Sequence, residues 1–340
     1  MQTLGKFIAG ICAILFIITG VMALLFFNIE RKAFDSATYK QAFENQNLYA
    51  RMPSILANTL STTILQNQST PTFIKTLTLT DWETAVSSML PPEELKAITD
   101  DALDSIFDYI NRRSDSVSIS VIPLKSRLIG PSGVELVKQV LRVQPACTTE
   151  QLQAIAFGFL SGGDIILCNP PEDVLTLLTP IIESQIQVMT VAIPDEVTLI
   201  SSLPSGAPND PRLRLNNVRL LMLLSPLLPV AFLLGITIFA VRSLKEWLMW
   251  WGWPIFITGA GGLLVAILGS PVIGFVVSRY MQIQGAGLIP PSLLATMQET
   301  ASSVTREILQ PVTLEGLILA VIGFVMAVVA LFVVRREELV

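Results

Sequence analysis

The chain has 340 residues, of which 51% are hydrophobic and 14% charged, and its mean hydropathy is +0.62; these values place it outside ordinary soluble domains and make lipid the solvent for part of it. The formal charge is −5 with no basic stripe, which disfavours a nucleic-acid partner because nothing is placed to displace counterions. Histidine is absent, which removes Ser-His-Asp and Cys-His nucleophiles and the commonest metal ligand.

The apolar residues fall in four blocks long enough to cross a hydrocarbon core, which takes about 20 residues at roughly 1.5 Å each. After a tail at 1–6 carrying Lys6, residues 7–27 form an uncharged first span. It is longer than a signal h-region, and Asn28-Ile29-Glu30-Arg31 offers no small-residue cleavage site, so it reads as a retained anchor. Cys12 follows Ile11, where a lipoprotein cysteine needs a small residue.

Residues 28–217 are polar enough to be a water-exposed domain, with 14 Lys and Arg against 21 Asp and Glu, a net of −7. Helices are expected over 36–46 and 53–66, broken at Pro53. Capping boxes at Thr80/Glu83, Ser132/Glu135, Thr148/Gln151 and Asn169/Glu172 mark further helix starts. Another helix starts near Pro92, with Glu93 and Glu94 in its first turn and Arg112 and Arg113 past its last. Strand signal is confined to the alternation of Val117, Ile119 and Val121 with serines, and 196–200 are its plausible partner. Residues 201–211, with Pro204, Pro208 and Pro211, read as a linker.

The second span occupies 218–241, from about Leu220, with kinks expected at Pro226 and Pro229. A short hairpin and tryptophan belt at 242–253 follows, in which Trp247, Trp250, Trp251 and Trp253 suit the membrane interface. The third span, 254–277, contains Pro271 and a ridge of Thr258, Gly262, Ala266, Ser270 and Gly274 at four-residue spacing. Such small side chains let another backbone approach closely, and the ridge suits packing within the bundle or a homo-oligomer. Residues 278–311 contain an amphipathic helix whose apolar face is Leu293, Leu294, Met297, Ala301, Val304 and Ile308. That face requires cover, most simply from the large domain or the headgroup layer, and the domain is preferred because Glu299 and Glu307 against a single Arg306 give no cationic face for anionic lipid. The fourth span is 312–334, where Gly316, Ala320, Gly323 and Ala327 offer a mating surface, and 335–340 form a tail. Arg219 and Glu315, near span ends, are expected to reach the interface by snorkelling.

The expected fold is therefore membrane α-helical: four transmembrane helices plus a mostly α-helical extracytoplasmic domain with at most a small two-stranded element. Positive-inside counting is nearly neutral. Cys147 and Cys168 decide the orientation, because a disulfide between them would persist outside the cytosol. The reading is a multi-pass protein of the cell membrane with cytoplasmic termini.

Two weak constellations remain. Asp100, Asp104 and Asp108, with Asp101 beside them, could hold a divalent cation, though a solvated acidic face is the plainer reading. A Ser-Lys dyad on Lys125 or Lys138 is chemically feasible, but no spacing marks one. No catalytic residue, metal or cofactor is expected. The partners expected are the lipid bilayer and a protein or peptide bound by the external domain. The function expected is non-enzymatic interaction, scaffolding or sensing. An accessory subunit of a transporter or channel is the alternative, and a membrane-bound hydrolase without histidine the second.

Overall fold

The structure, a computed structural model, describes residues 2–66, 72–153, 168–201, 210–284 and 291–337. It is predominantly helical, with one two-stranded sheet. Among the described residues, five helices or helix pairs are long and apolar enough to cross a membrane: 4–33, 172–191, 211–240, 244–277 and 293–332. The chain is a membrane protein.

Helix α1 (Gln2–Ala33) carries the first apolar block and continues past it, placing Arg31 and Lys32 in its last turn where they complement the helix dipole. A head of short helices follows: α2 (Ser36–Asn45), α3 (Leu48–Gln66), α4 (Thr72–Lys75), α5 (Leu79–Met89) and α6 (Pro92–Ile110). Asp35 caps α2 by accepting from the Ala37 amide at 3.1 Å. The break between α2 and α3 falls at Asn47, which has φ 49°, and not at Pro53, which lies inside α3. Asparagine tolerates the left-handed region, so the turn is made there.

The capping box of α5 is Thr78 with Asp81, two residues ahead of the expected pair, because Asp81 reaches back to both the Thr78 amide and its hydroxyl. Strand β1 (Ser116–Ser120) leads to α7 (Ile122–Ile129), α8 (Pro131–Arg142), α9 (Glu172–Val191) and β2 (Glu196–Ser201). Helix α8 starts without a side-chain cap, so Ser132 does not serve as one. The expected Thr148/Gln151 box forms in both directions, at 2.9 and 3.2 Å. Asn169 is diverted to the Arg142 carbonyl and to a bridge with Ala146, and α9 starts after Pro171 instead.

β1 and β2 pair antiparallel with Val117 opposite Ile200 and Ile119 opposite Val197, and the register is irregular between Val117 and Ser118. Val117 is buried, and the Ser118 amide donates to Ser105 of α6 at 3.0 Å, fixing the sheet to that helix.

Helix α10 (Pro211–Leu224) begins well before the expected span, capped by Asp210. The linker expected over 201–211 falls largely outside the described residues. The chain breaks at Ser225-Pro226 before α11 (Leu227–Ala240). Pro229 fits in the first turn of α11, where its missing donor would have no intrahelical acceptor. Helix α12 (Leu244–Gln284) runs for 41 residues through both Pro254 and Pro271. Helix α13 (Pro291–Glu337) runs for 47 residues through Pro311, so the amphipathic segment and the fourth apolar block are one rod. Each proline removes one backbone bond, and the long contact between α12 and α13 holds both helices through that loss.

Close approach in this hairpin is set by glycines at seven-residue spacing. A Cβ on Gly259 would lie 2.3 Å from the Ala320 amide nitrogen, and one on Gly323 would lie 2.3 Å from that of Phe256. Gly252 and Gly316 complete the antiparallel set. Helix α1 packs along α12 in parallel, Gly20 meeting Thr258 and Leu24 meeting Gly262, and along α11 antiparallel, Cys12 facing Gly235.

Candidate functional site

The polar chemistry converges where the head meets the bundle. Arg219 of α10 is half-buried there: it donates to Asn111 at the end of α6, reaches Glu30 Oε1 of α1 at 3.0 Å, and stacks its guanidinium 4.4 Å from the Phe34 ring. Snorkelling does not describe it, because its partners come from the head and from α1. Two turns earlier, buried Arg212 donates to both carboxylate oxygens of Asp210 at 3.0 Å and to the Ser114 carbonyl at 3.0 Å, above the Tyr109 ring at 4.4 Å. The Arg212 guanidinium holds the Asp210 carboxyl below its ordinary range. Two cations thus tie α10 to α1 and α6.

The second tie runs along α13. Asn45 donates to Glu307 at 2.8 Å, Gln46 to the Glu299 carbonyl at 2.6 Å, and Arg51 to Glu299 Oε2 at 2.8 Å. Ser303 returns a bond to the Ala42 carbonyl at 3.3 Å. Helices α2 and α3 therefore lie against the upper part of a helix that also belongs to the bundle. Lower down, Asn28 of α1 donates to Glu315 of α13 at 2.7 Å, so Glu315 is held by a neighbouring helix and does not reach for the interface.

Between α2–α3 and α12–α13 lies an apolar groove of about 570 Å³. Tyr39, Phe43, Tyr49 and Met52 form one wall, and Met297, Ala301 and Val304 form the other. The amphipathic face expected to need cover is turned toward the head across this groove. A smaller cleft of about 420 Å³ lies at the opposite end of the bundle, lined by Lys6, Phe239, Arg242 and Glu246.

The aspartates of α6 are distributed among separate partners. Asp104 accepts from Lys40 at 2.6 Å and Ser36 at 2.7 Å, and the lysine holds its carboxyl below the usual range. Asp100 accepts from Lys96 at 2.8 Å and from the Tyr49 hydroxyl at 3.1 Å. Burial and the Asp100 carboxylate push the Tyr49 hydroxyl up, while hydrogen bonds to Asp100 and Glu44 raise Lys96. Asp108 meets Arg113, and Asp101 accepts from the Ser120 amide. Lys125 commits its ammonium to Asp195 at 2.7 Å and to the Ile193 carbonyl.

Cys147 and Cys168 are joined, their sulfurs 1.98 Å apart. In the ridge of α12, Thr258 and Gly262 face α1, Ala266 packs with Leu309 and Val312, Ser270 donates to the Ser302 carbonyl at 3.1 Å, and Gly274 also faces Ser302. The ridge is thus occupied by α1 and α13 of the same chain. Gly252 and Gly259 fall outside the four-residue ridge legible in the sequence, because the tightest contacts recur every seven residues. Trp247 and Trp251 lie with ring centroids 5.2 Å apart and tilted by 49°, and Trp251 donates to Thr237 of α11 at 3.1 Å; Trp250 is half-buried and Trp253 half-exposed, edge-on to Phe256.

Compared with known protein families, with curated proteins and with solved structures, the chain has no match.

Proposed function

We propose that this is a four-span protein of the cell membrane whose head lies outside the cytoplasm and serves interaction or sensing, without catalysis. The observation that carries the reading is the continuity of α13, one helix that passes from the bundle to the head and is gripped there by Asn45, Gln46 and Arg51. A ligand that shifts α2 or α3 moves a span directly, since no flexible linker separates them. The Cys147–Cys168 disulfide supports an oxidising compartment for the head.

Helix α9, the fifth apolar candidate, belongs to the head in this reading. Its first residue Glu172 pairs with Arg142 of α8 at 2.8 Å, and it lies between the disulfide and a strand that pairs within the head. Proximity labelling from the head in the native cell tests the proposal: partners recovered at the outer surface support it, and exclusively cytosolic partners overturn it.

A second reading, the accessory subunit of a transporter or channel, is favoured by one observation, the Asn28–Glu315 pair inside the apolar bundle. Solute flux into liposomes that is lost in Glu315→Gln would select it.

A further inference from the structure

We propose that the groove between α2–α3 and α12–α13 binds the hydrocarbon chain of a membrane lipid drawn from the adjacent leaflet. This deepens the sensing function proposed above and rests on its membrane placement.

The first argument is continuity with the lipid-facing surface. Residues 264–277 of α12 carry no charge, and Leu264, Leu268, Val272 and Val276 form an exposed stripe. That stripe leads to Ile273, which is 41% exposed and lines the groove. Asn28, just past the apolar block of α1, follows Leu24 and Leu25, which pack against Ala266 of α12. Ile273 is seven residues farther along, about 10 Å at 1.5 Å per residue. The groove therefore opens at the outer edge of the headgroup layer, which extends roughly 5–8 Å beyond each face of the hydrocarbon core. A chain leaving the leaflet meets apolar surface throughout that distance.

The second argument is the chemistry of the walls. Most of their polar groups are committed elsewhere: the Tyr39 hydroxyl donates to the Ala33 carbonyl, Tyr49 to Asp100, Thr300 to the Thr296 carbonyl, and Thr305 to the Ala301 carbonyl. A peptide backbone seated there would find few partners for its own donors and acceptors, a costly state, whereas hydrocarbon demands none. A cavity so lined also holds water poorly. The volume of about 570 Å³ lies within the usual range for small-molecule sites. Met52 and Met297, unbranched and adaptable, suit a flexible chain.

The test uses the full-length protein in phosphatidylcholine vesicles containing a trace of phosphatidylcholine with a diazirine at the end of one acyl chain. Illumination followed by peptide mapping is expected to give adducts on 39–52 and on 293–305, as well as on lipid-facing α11. Ala301→Phe, which fills the groove, and Met297→Trp, at its more open edge, should each abolish the first two sets and leave the α11 adducts unchanged. The proposal is overturned if groove adducts persist in both variants or if they are absent from the wild type. Retention of the Cys147–Cys168 bond in each variant reports folding of the head. Arg113→Cys, on an exposed head residue, is labelled in parallel with a membrane-impermeant maleimide on intact cells. Labelling only after lysis would refute the outer placement of the head while leaving the groove assignment to the crosslinks.

Discussion

Asn28 of α1 and Glu315 of α13 meet within the bundle, the asparagine amide donating to the carboxylate at 2.7 Å while also bonding its own Leu24 carbonyl at 2.9 Å. The pair fixes the rotation of α1 against the α12–α13 hairpin, because either helix turning would strand a polar group among apolar neighbours. Asn28→Val is expected to lower stability in detergent by about 0.6 kcal/mol and at most about 1.7, the range for interhelical bonds in lipid. Glu315→Gln keeps an acceptor and should unfold near the wild-type midpoint. Equal losses in both variants would show that charge, and not the hydrogen bond, matters.

Glycine spacing gives a second, sharper contrast. At Gly259 an added Cβ meets backbone of α13 at 2.3 Å, whereas at Gly262 its nearest neighbour is the flexible end of Leu24 at 3.0 Å and backbone is no closer than ordinary contact, 3.9 Å at Gly316. Gly259→Ala should therefore separate the hairpin at a cost of about 1–3 kcal/mol, typical of overpacking, and Gly262→Ala should be tolerated. Thermal unfolding of the two variants side by side decides, and the reverse order would refute the seven-residue register.

How much of this was legible beforehand follows from the range of each signal. The apolar helices that carry 7–27, 218–241, 254–277 and 312–334, the start of α6 at Pro92 and the pairing of 116–120 with 196–201 rest on local composition and alternation, and the structure contains them, together with a fifth apolar helix at 172–191 that was not read as one. The break at Asn47 and the passage of α12 and α13 through three prolines were not legible, because tertiary packing outweighs a local breaker where a neighbouring helix supports the backbone. The roles of Arg219 and Glu315 were misread for the same reason: their partners Asn111, Glu30 and Asn28 are far away in sequence. The groove depends on facing walls more than two hundred residues apart, which no periodicity reveals.

Acid should loosen the head. Asp104 and Asp210 both have carboxyls held below their ordinary range by cationic partners, Lys40 and Arg212. Their stabilising contribution is present above the unfolded value near 3.9 and is lost as pH falls through the lower folded values. Proteolytic protection of the head should thus be steady above about pH 5 and fall below about pH 4. Asp104→Asn should be less protected at neutral pH and lose less on acidification; an unchanged acid limb would remove Asp104 from the account.

The disulfide supplies the last contrast. Cys147 and Cys168 are 21 residues apart, and closing a loop of that size restrains the unfolded chain by about 3 kcal/mol in the entropic treatment. The bond also pins the strand-like bridge beside it, where the Cys147 amide donates to the Asn169 carbonyl at 3.0 Å and Asn169 returns one to Pro145 at 2.8 Å. Reduction should lower the unfolding midpoint of the head and expose the chain near Asn169 to protease, while the α12–α13 hairpin keeps its helicity. The Cys147→Ser/Cys168→Ser protein should behave like the reduced wild type and be insensitive to reductant. A midpoint that stays put in both would mean that α8 and α9 hold this corner of the head without their covalent tie.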